Sequence, residues 1–338
     1  MKTSIYCTLL VGAIASGLVY GQTTAYTTPV GYESVTVASG FNYVGLRLHR
    51  AVAFAGSFGS STSTTLVDSN ANFSSASATT LYLLELNNNK VIEVPGSFLS
   101  GTTVSGLTGI TAADQGAYSI RPSATVASVF GAANSAGLAA GSFGSSGADQ
   151  VWVPNGSGDF NRYYYDSFNP NTFGATWSEV AAPNNAVDPS SINLVYLDGI
   201  LLVKDAGSSF SSLVVSGTVK TKATIVGLPT GFNYASSLYP VGATLASSYG
   251  ATNTAGFSAG SFGSSGADQI WVPNGSGDFN RYYYDSFNPN TFGATWSEVA
   301  APNNAVDPAT VSLPSGIVIV AAASVNAAVT PPAFFSSL

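Results

Sequence analysis

The chain has 338 residues, 45% of them hydrophobic and 8% charged, with a formal net charge of -7. Apolar and aromatic content at this level excludes a disordered chain, and the scarcity of charge, against roughly 25% in ordinary soluble proteins, leaves the surface to Ser, Thr, Asn, Gly and Tyr. The 10 basic residues are scattered and none follows Arg281, so there is no basic stripe for nucleic acid and no polybasic membrane contact.

Residues 1–21 read as a secretory signal peptide. Lys2 gives the positive start, Ile5 to Val19 is apolar and uncharged, and Val19-Tyr20-Gly21 leads to cleavage before Gln22. The apolar run is too short for a membrane-spanning helix, so no span is expected after its removal. Cys7 lies inside this segment, and its loss leaves a mature chain without cysteine. About 315 residues bury enough apolar surface to fold without disulfides. These features point to a bacterial protein that is secreted, at the cell surface or in the periplasm.

Self-comparison organises the rest. Ala140 to Pro189 recurs as Ala259 to Pro308, offset by 119 residues, and differs only at Val151 against Ile270. A degenerate third copy is suggested upstream: Gly40-Phe41-Asn42-Tyr43 repeats at Gly231-Phe232-Asn233-Tyr234, and Gly56 to Ser61 repeats the motif at Gly141 and Gly260. The expected division is 22–105 for a degenerate first module, 106–222 for copy A and 223–338 for copy B.

Taken in chain order, copy A begins with the Ala-rich stretch Val126 to Gly141, read as one short helix or a loop. Gln150 to Val153 is β-branched and aromatic and is stopped by Pro154. Asn155-Gly156-Ser157-Gly158 is a turn, and Asn161 to Asp166 resumes a strand, which together make a hairpin. Ala175 to Val180 is a third strand, and Ala181 to Pro189 a loop. Leu194 to Val203 is a strand or pair broken at Asp198-Gly199; Ser212 to Val219 and Ala223 to Val226 are further strands. Period-2 alternation puts Val151, Val153, Tyr163 and Tyr165 in the core. Trp152, Arg162 and Tyr164 then face a second sheet or solvent. The fold class is all-β: tandem β-sandwich-like modules of antiparallel strands.

No catalytic constellation emerges. His49 is the only histidine and has no orienting partner nearby in sequence. Asp149, Asp159, Asp166 and Glu179, with their twins Asp268, Asp278, Asp285 and Glu298, are carboxylates available for glycan hydrolysis, but a structural role fits them better: Asp159 sits in a turn, Asp166 ends a strand and Glu179 alternates outward. Asn155, Ser157, Asp159 and Asn161 alternate oxygen donors loosely like a calcium loop, with one carboxylate among them and no bidentate Glu after them; calcium is the one cofactor they suggest. The aromatic residues suggest a sugar-stacking platform: Trp152, Tyr164 and Trp177 with Arg162, repeated as Trp271, Tyr283, Trp296 and Arg281. Packing between sheets explains the same rings.

The order Gly-Phe-Asn-Tyr, Ala/Gly/Ser stretch, D-x-(I/V)-x-V strand, turn, Tyr-rich strand, Trp strand and Leu-x-Gly-Ile strand resembles secreted paralogous proteins of verrucomicrobial type, a family of unknown function. The opening segment Thr28-Pro29-Val30-Gly31-Tyr32 and the run Leu46-Arg47-Leu48-His49-Arg50 fit the resemblance. It implies export and β-structure, and brings no catalytic or binding residues with it. The expectation is therefore an exported, non-enzymatic structural or adhesive β-repeat protein. Its partner would be a surface glycan or another cell-surface protein. The alternatives are a carbohydrate-binding module array and a carboxylate-dependent glycan-active enzyme.

Overall fold

A computed structural model describes residues 29–337, so the signal-peptide expectation lies outside the described residues. The protein is nearly all-β, with 47% strand against 6% helix, and its sheets are antiparallel. Two six-stranded sheets dominate. In the first, the order is Ala182–Ala186, Gly174–Glu179, Phe160–Asn169, Gln150–Pro154, Gly199–Lys204, Gly40–Gly45. The second repeats it with Ala301–Ala305, Gly293–Glu298, Phe279–Asn288, Gln269–Pro273, Gly316–Ala321, Gly231–Ser236.

Each large sheet is backed by a smaller one. Val30–Thr36, Ser212–Val219 and Leu48–His49 cover the first, and Thr224–Leu228 pairs with Val325–Val329 over the second. The apolar faces meet between them: Val44, Val151, Trp177 and Leu202 against Leu48, Leu213 and Val215 in the first module. Alternation accounts for this face. Val151 is fully buried, and Val153, Tyr163 and Tyr165 pack against the same core partly buried. Among the described residues each module has one short α-helix, Val126–Phe130 or Leu245–Tyr249, started by a Thr-x-x-Ser capping box at Thr125 or Thr244. Ala182–Ala186, expected as loop, is an edge strand; its pairing is interrupted by a register shift, as Pro183 in an edge strand allows.

The division into modules differs from the one expected. Gly40–Gly45 does not open a separate first module; it is the edge strand of copy A, hydrogen-bonded along Gly199–Lys204. The reason is an insertion. The Gly-Phe-Asn-Tyr strands lie 191 residues apart and the long duplicated stretches 119 apart, so copy A carries 72 residues that copy B lacks. They form a small β-unit, with Phe54–Phe58, Gly116–Pro122, Leu81–Leu86 and Val91–Pro95 in one sheet and four two-residue strands in another. It has its own core around Phe58, Phe73, Leu84 and Tyr118. The Gly56 motif therefore sits in a strand of the insert and has no structural likeness to Gly141 or Gly260.

The insert docks on copy A through a buried charge cluster, and on copy B separately, where Lys90 bridges Ile225 and Leu83 joins the copy B core. The Glu85 carboxylate accepts hydrogen bonds from Lys220 Nζ at 3.0 Å, Tyr196 OH at 2.8 Å, Arg121 at 3.1 Å and Ser119 Oγ at 2.9 Å. His49 lies beside it, stacked on Tyr196 with ring centroids 3.9 Å apart, and among the described residues neither ring nitrogen has a partner.

Candidate functional site

The two large sheets meet through their outer faces, and they do so reciprocally. Tyr43 stacks on its equivalent Tyr234, with centroids 6.3 Å apart and an interplanar angle of 9°. Tyr43 also touches Phe279 at 5.0 Å, while Tyr234 touches Phe160, the equivalent of Phe279, at 4.6 Å. Gly316 lies against Tyr43 and Val44 as Gly199 lies against Ala235. Equivalent residues exchange partners across the junction, the mark of a two-fold interface between like subunits, here within one chain.

Outward from this centre the rings continue. Phe160 meets Trp152 at 6.0 Å and Trp152 meets Phe41 at 5.5 Å; on the other side Phe279 meets Trp271 at 5.7 Å and Trp271 meets Phe232 at 5.3 Å. The result is a palindromic belt of eight rings, Phe41–Trp152–Phe160–Tyr234–Tyr43–Phe279–Trp271–Phe232. Register explains it. Trp152 stands opposite Leu201, which stands opposite Tyr43, so one pleat face carries all three across neighbouring strands. The four inner rings bind the modules together. The terminal Phe41 and Phe232 are 61% and 59% exposed, which leaves the belt ends open to solvent. Arg162 lies over the Trp152 ring at 4.2 Å and Arg281 over Trp271 at 4.3 Å. Each guanidinium is also held by its turn carboxylate, Asp159 or Asp278, at 3.8 Å.

A cleft flanks the belt on each side of the junction. One, of about 640 Å³, lies between Phe41-Asn42-Tyr43 of copy A and the Pro273 to Asp278 turn of copy B. Its twin, of about 570 Å³, lies between Phe232-Asn233-Tyr234 of copy B and the Pro154 to Asp159 turn of copy A. Both fall in the size range of small-molecule sites. They differ in charge. The first contains the Arg47–Glu33 ion pair and Ser315. The second contains Asp198 where its twin has Ser315, and Glu93 from the insert. Burial pushes the Asp198 carboxyl up to about 7, with the Glu93 charge adding to the rise. Desolvation also raises Glu93.

A raised carboxyl favours the folded state while it is protonated. Its contribution is complete below the ordinary Asp value near 3.9 and is lost as pH rises through about 7. Asp198→Asn is accordingly expected to raise the melting temperature at pH 8 and to leave it unchanged at pH 3.5. Equal shifts at both pH values would contradict the assignment.

The expected platform is not assembled as read. Trp152 and Arg162 share the outer face, but Tyr164 on that face is fully buried beneath the segment around Gly141, its OH donating to Pro183 O at 3.2 Å. Trp177 is on the opposite face inside the core, and its Nε1–H donates to Gly131 O at 3.0 Å. Tyr283 and Trp296 are buried in the same ways in copy B. The exposed outer face is thus shorter than alternation alone implies, because a loop and a second module cover part of it.

The calcium-like spacing serves the turn itself. Asn155 Oδ1 accepts from Ser157 N at 3.0 Å, Ser157 Oγ at 2.7 Å and Asp159 N at 3.3 Å, so its oxygen is turned inward. Asp159 is engaged by Phe160 N and Arg162, and Asn161 stands in the following strand opposite Val153. Two of the four candidate acids are staples. Asp149 is fully buried and accepts from Ala139 N, Asp205 N and Ser208 Oγ. Asp166, equally buried, accepts from Phe168 N and Tyr164 OH. Glu179 pairs in register with Tyr163. Asp268, Asp278 and Asp285 repeat these roles in copy B, and Glu298 stands opposite Tyr282. The imidazole of His49 is pushed down to about 3 by burial and by the charges of Lys220 and Arg121, which keeps it neutral.

Phe41, Phe160, Asp198 and Glu93 were not singled out from sequence. Only the symmetry of the duplicated Gly-Phe-Asn-Tyr and Gly-Asp-Phe-Asn segments could have drawn attention to the two phenylalanines, and no motif marks the two acids. No family model, no curated protein and no solved structure matches the chain.

Proposed function

We propose that this is an exported, non-enzymatic adhesive protein of the bacterial surface or periplasm that holds a glycan chain along the aromatic belt. The observation that carries the reading is the belt itself: eight rings in one continuous line, open at Phe41 and Phe232 and flanked by two clefts. Sugar rings present apolar faces to aromatic rings and hydroxyls to turn amides and carboxylates, and the clefts supply both. Duplication adds avidity, since a chain held at one cleft meets the second at high effective concentration. The N-terminal sequence supports export. The engagement of Asp149 and Asp166 by backbone N–H groups weighs against acid–base chemistry at those positions.

A glycan array probed with the protein from Gln22 onward tests this. Binding is expected, and Trp152→Ala combined with Trp271→Ala should weaken it by about tenfold or more, since each truncation removes a stacking ring worth on the order of 1 kcal/mol. Thermal denaturation of the variant keeps folding separate from binding. Absence of any glycan binding by the folded parent protein would remove the proposal and leave a purely structural role.

A further inference from the structure

The two clefts share their aromatic and turn walls but not their charge, and that difference bears on what each can hold. Phe41, Asn42 and Tyr43 in one correspond to Phe232, Asn233 and Tyr234 in the other, and each faces an identical Asn-Gly-Ser-Gly-Asp turn. In the 640 Å³ cleft the added charges cancel, because Arg47 and Glu33 form an ion pair. In the 570 Å³ cleft the added groups are Asp198 and Glu93, with no added cation. Among the described residues, no hydrogen bond or ion pair engages either carboxylate, whereas the turn carboxylate Asp159 is held by Arg162.

We propose that Asp198 and Glu93 make the 570 Å³ cleft selective for a sugar carrying a free protonated amine, while its neutral twin takes an uncharged or N-acetylated sugar. This rests on the belt being the glycan-binding surface. The argument is one of compensation. Asp198, partly withdrawn from water and without a partner, is held at a cost that an ammonium group in the cleft removes by a charge-assisted hydrogen bond, and Glu93 at the exposed rim adds attraction for the same cation. An N-acetyl group has no charge to give and leaves the two acids as they were. A glycan chain alternating or grading between free and acetylated amines would therefore lie along the belt in one preferred direction. The rings on either side favour a sugar over a lysine side chain, which has no ring face to offer them.

The test is calorimetric titration at pH 7 with a glucosamine pentamer and with its fully N-acetylated counterpart. Asp198→Asn combined with Glu93→Gln should weaken the glucosamine pentamer about tenfold and leave the acetylated pentamer unchanged. Glu93→Gln alone, at an exposed rim position, should give a several-fold loss, which guards against a folding defect at Asp198. Equal affinities of the parent protein for the two pentamers, or equal weakening of both by the variants, would overturn the assignment. So would a lysine-rich peptide competing better than the glucosamine pentamer. Binding that depends on Asp198 and Glu93 but not on Trp152 and Trp271 would discard the belt and keep the cleft. No binding of either pentamer by the parent protein would discard both.

Discussion

Replacing Glu85 by Ala is expected to destabilise the protein by about 3–5 kcal/mol, the largest effect of any single substitution considered. Among the described residues Glu85 is the carboxylate that both Lys220 and Arg121 share, and the three side chains are 12%, 6% and 10% exposed. Burial opposes its ionisation, yet the two cations outweigh burial and hold the carboxyl well below the usual carboxylate range. Without it, two largely buried positive charges remain unpaired by their carboxylate, with the Tyr196 and Ser119 hydroxyls also left without their acceptor. Denaturant unfolding followed by tryptophan fluorescence measures the loss. A double-mutant cycle separates mechanism from packing. Lys220→Met should recover part of the Glu85→Ala cost, because it removes one of the stranded charges. A Glu85→Ala loss under 1 kcal/mol, or strict additivity with Lys220→Met, would mean the cluster is not what docks the insert.

The same cluster sets an acid limit. The folded state depresses the His49 value to about 3, so the unfolded chain binds the extra proton first. Stability from this group is complete above the ordinary His value near 6.5 and is lost as pH falls towards about 3, at about 1.4 kcal/mol per pH unit within that window. Glu85, also depressed, adds a loss of the same sign below the ordinary carboxylate range. His49→Phe keeps a flat ring on Tyr196 and removes the titration, so stability between pH 6.5 and 4.5 should flatten in that variant.

How much of this was legible in the sequence follows from distance along the chain. The strands of each copy are local, and alternation placed Val151 on the core side and Trp152 with Arg162 on the other. What escaped depends on contacts that no local pattern encodes. Gly40–Gly45 finds its partner Gly199–Lys204 across the insert, so a strand of copy A reads as a remnant of a third module. The unequal offsets of 191 and 119 residues were the available signal. Tyr164 keeps the predicted face but loses its exposure, because the loop at Gly141 folds over it. The belt was legible least of all. Half its rings come from each copy, and only the two-fold meeting of the modules lines them up. Repetition thus announced two modules without announcing that they face one another.

That meeting depends on backbone approaching backbone, and glycine is what permits it. A Cβ on Gly316 would lie 2.5 Å from the Tyr43 carbonyl carbon and 2.6 Å from Val44 N; one on Gly45 would lie 2.7 Å from Ser236 Cα and also strike the Ser315 carbonyl oxygen. These are main-chain obstacles, which no rotamer change relieves. Gly45→Ala combined with Gly316→Ala should therefore cost about 1–3 kcal/mol per site, partly recovered if the modules move apart. Separation of the modules would break the Tyr43–Tyr234 stack at the centre of the belt and widen both clefts. Small-angle scattering should show a larger radius of gyration, and glycan affinity should fall although neither substituted position touches the belt rings' outer surface. Gly59→Ala is the matched control, since a Cβ there meets nothing within 4 Å. If the double variant kept the parent's scattering profile and melting temperature, the two sheets would not be held in the reciprocal contact on which belt, clefts and charge selectivity all depend.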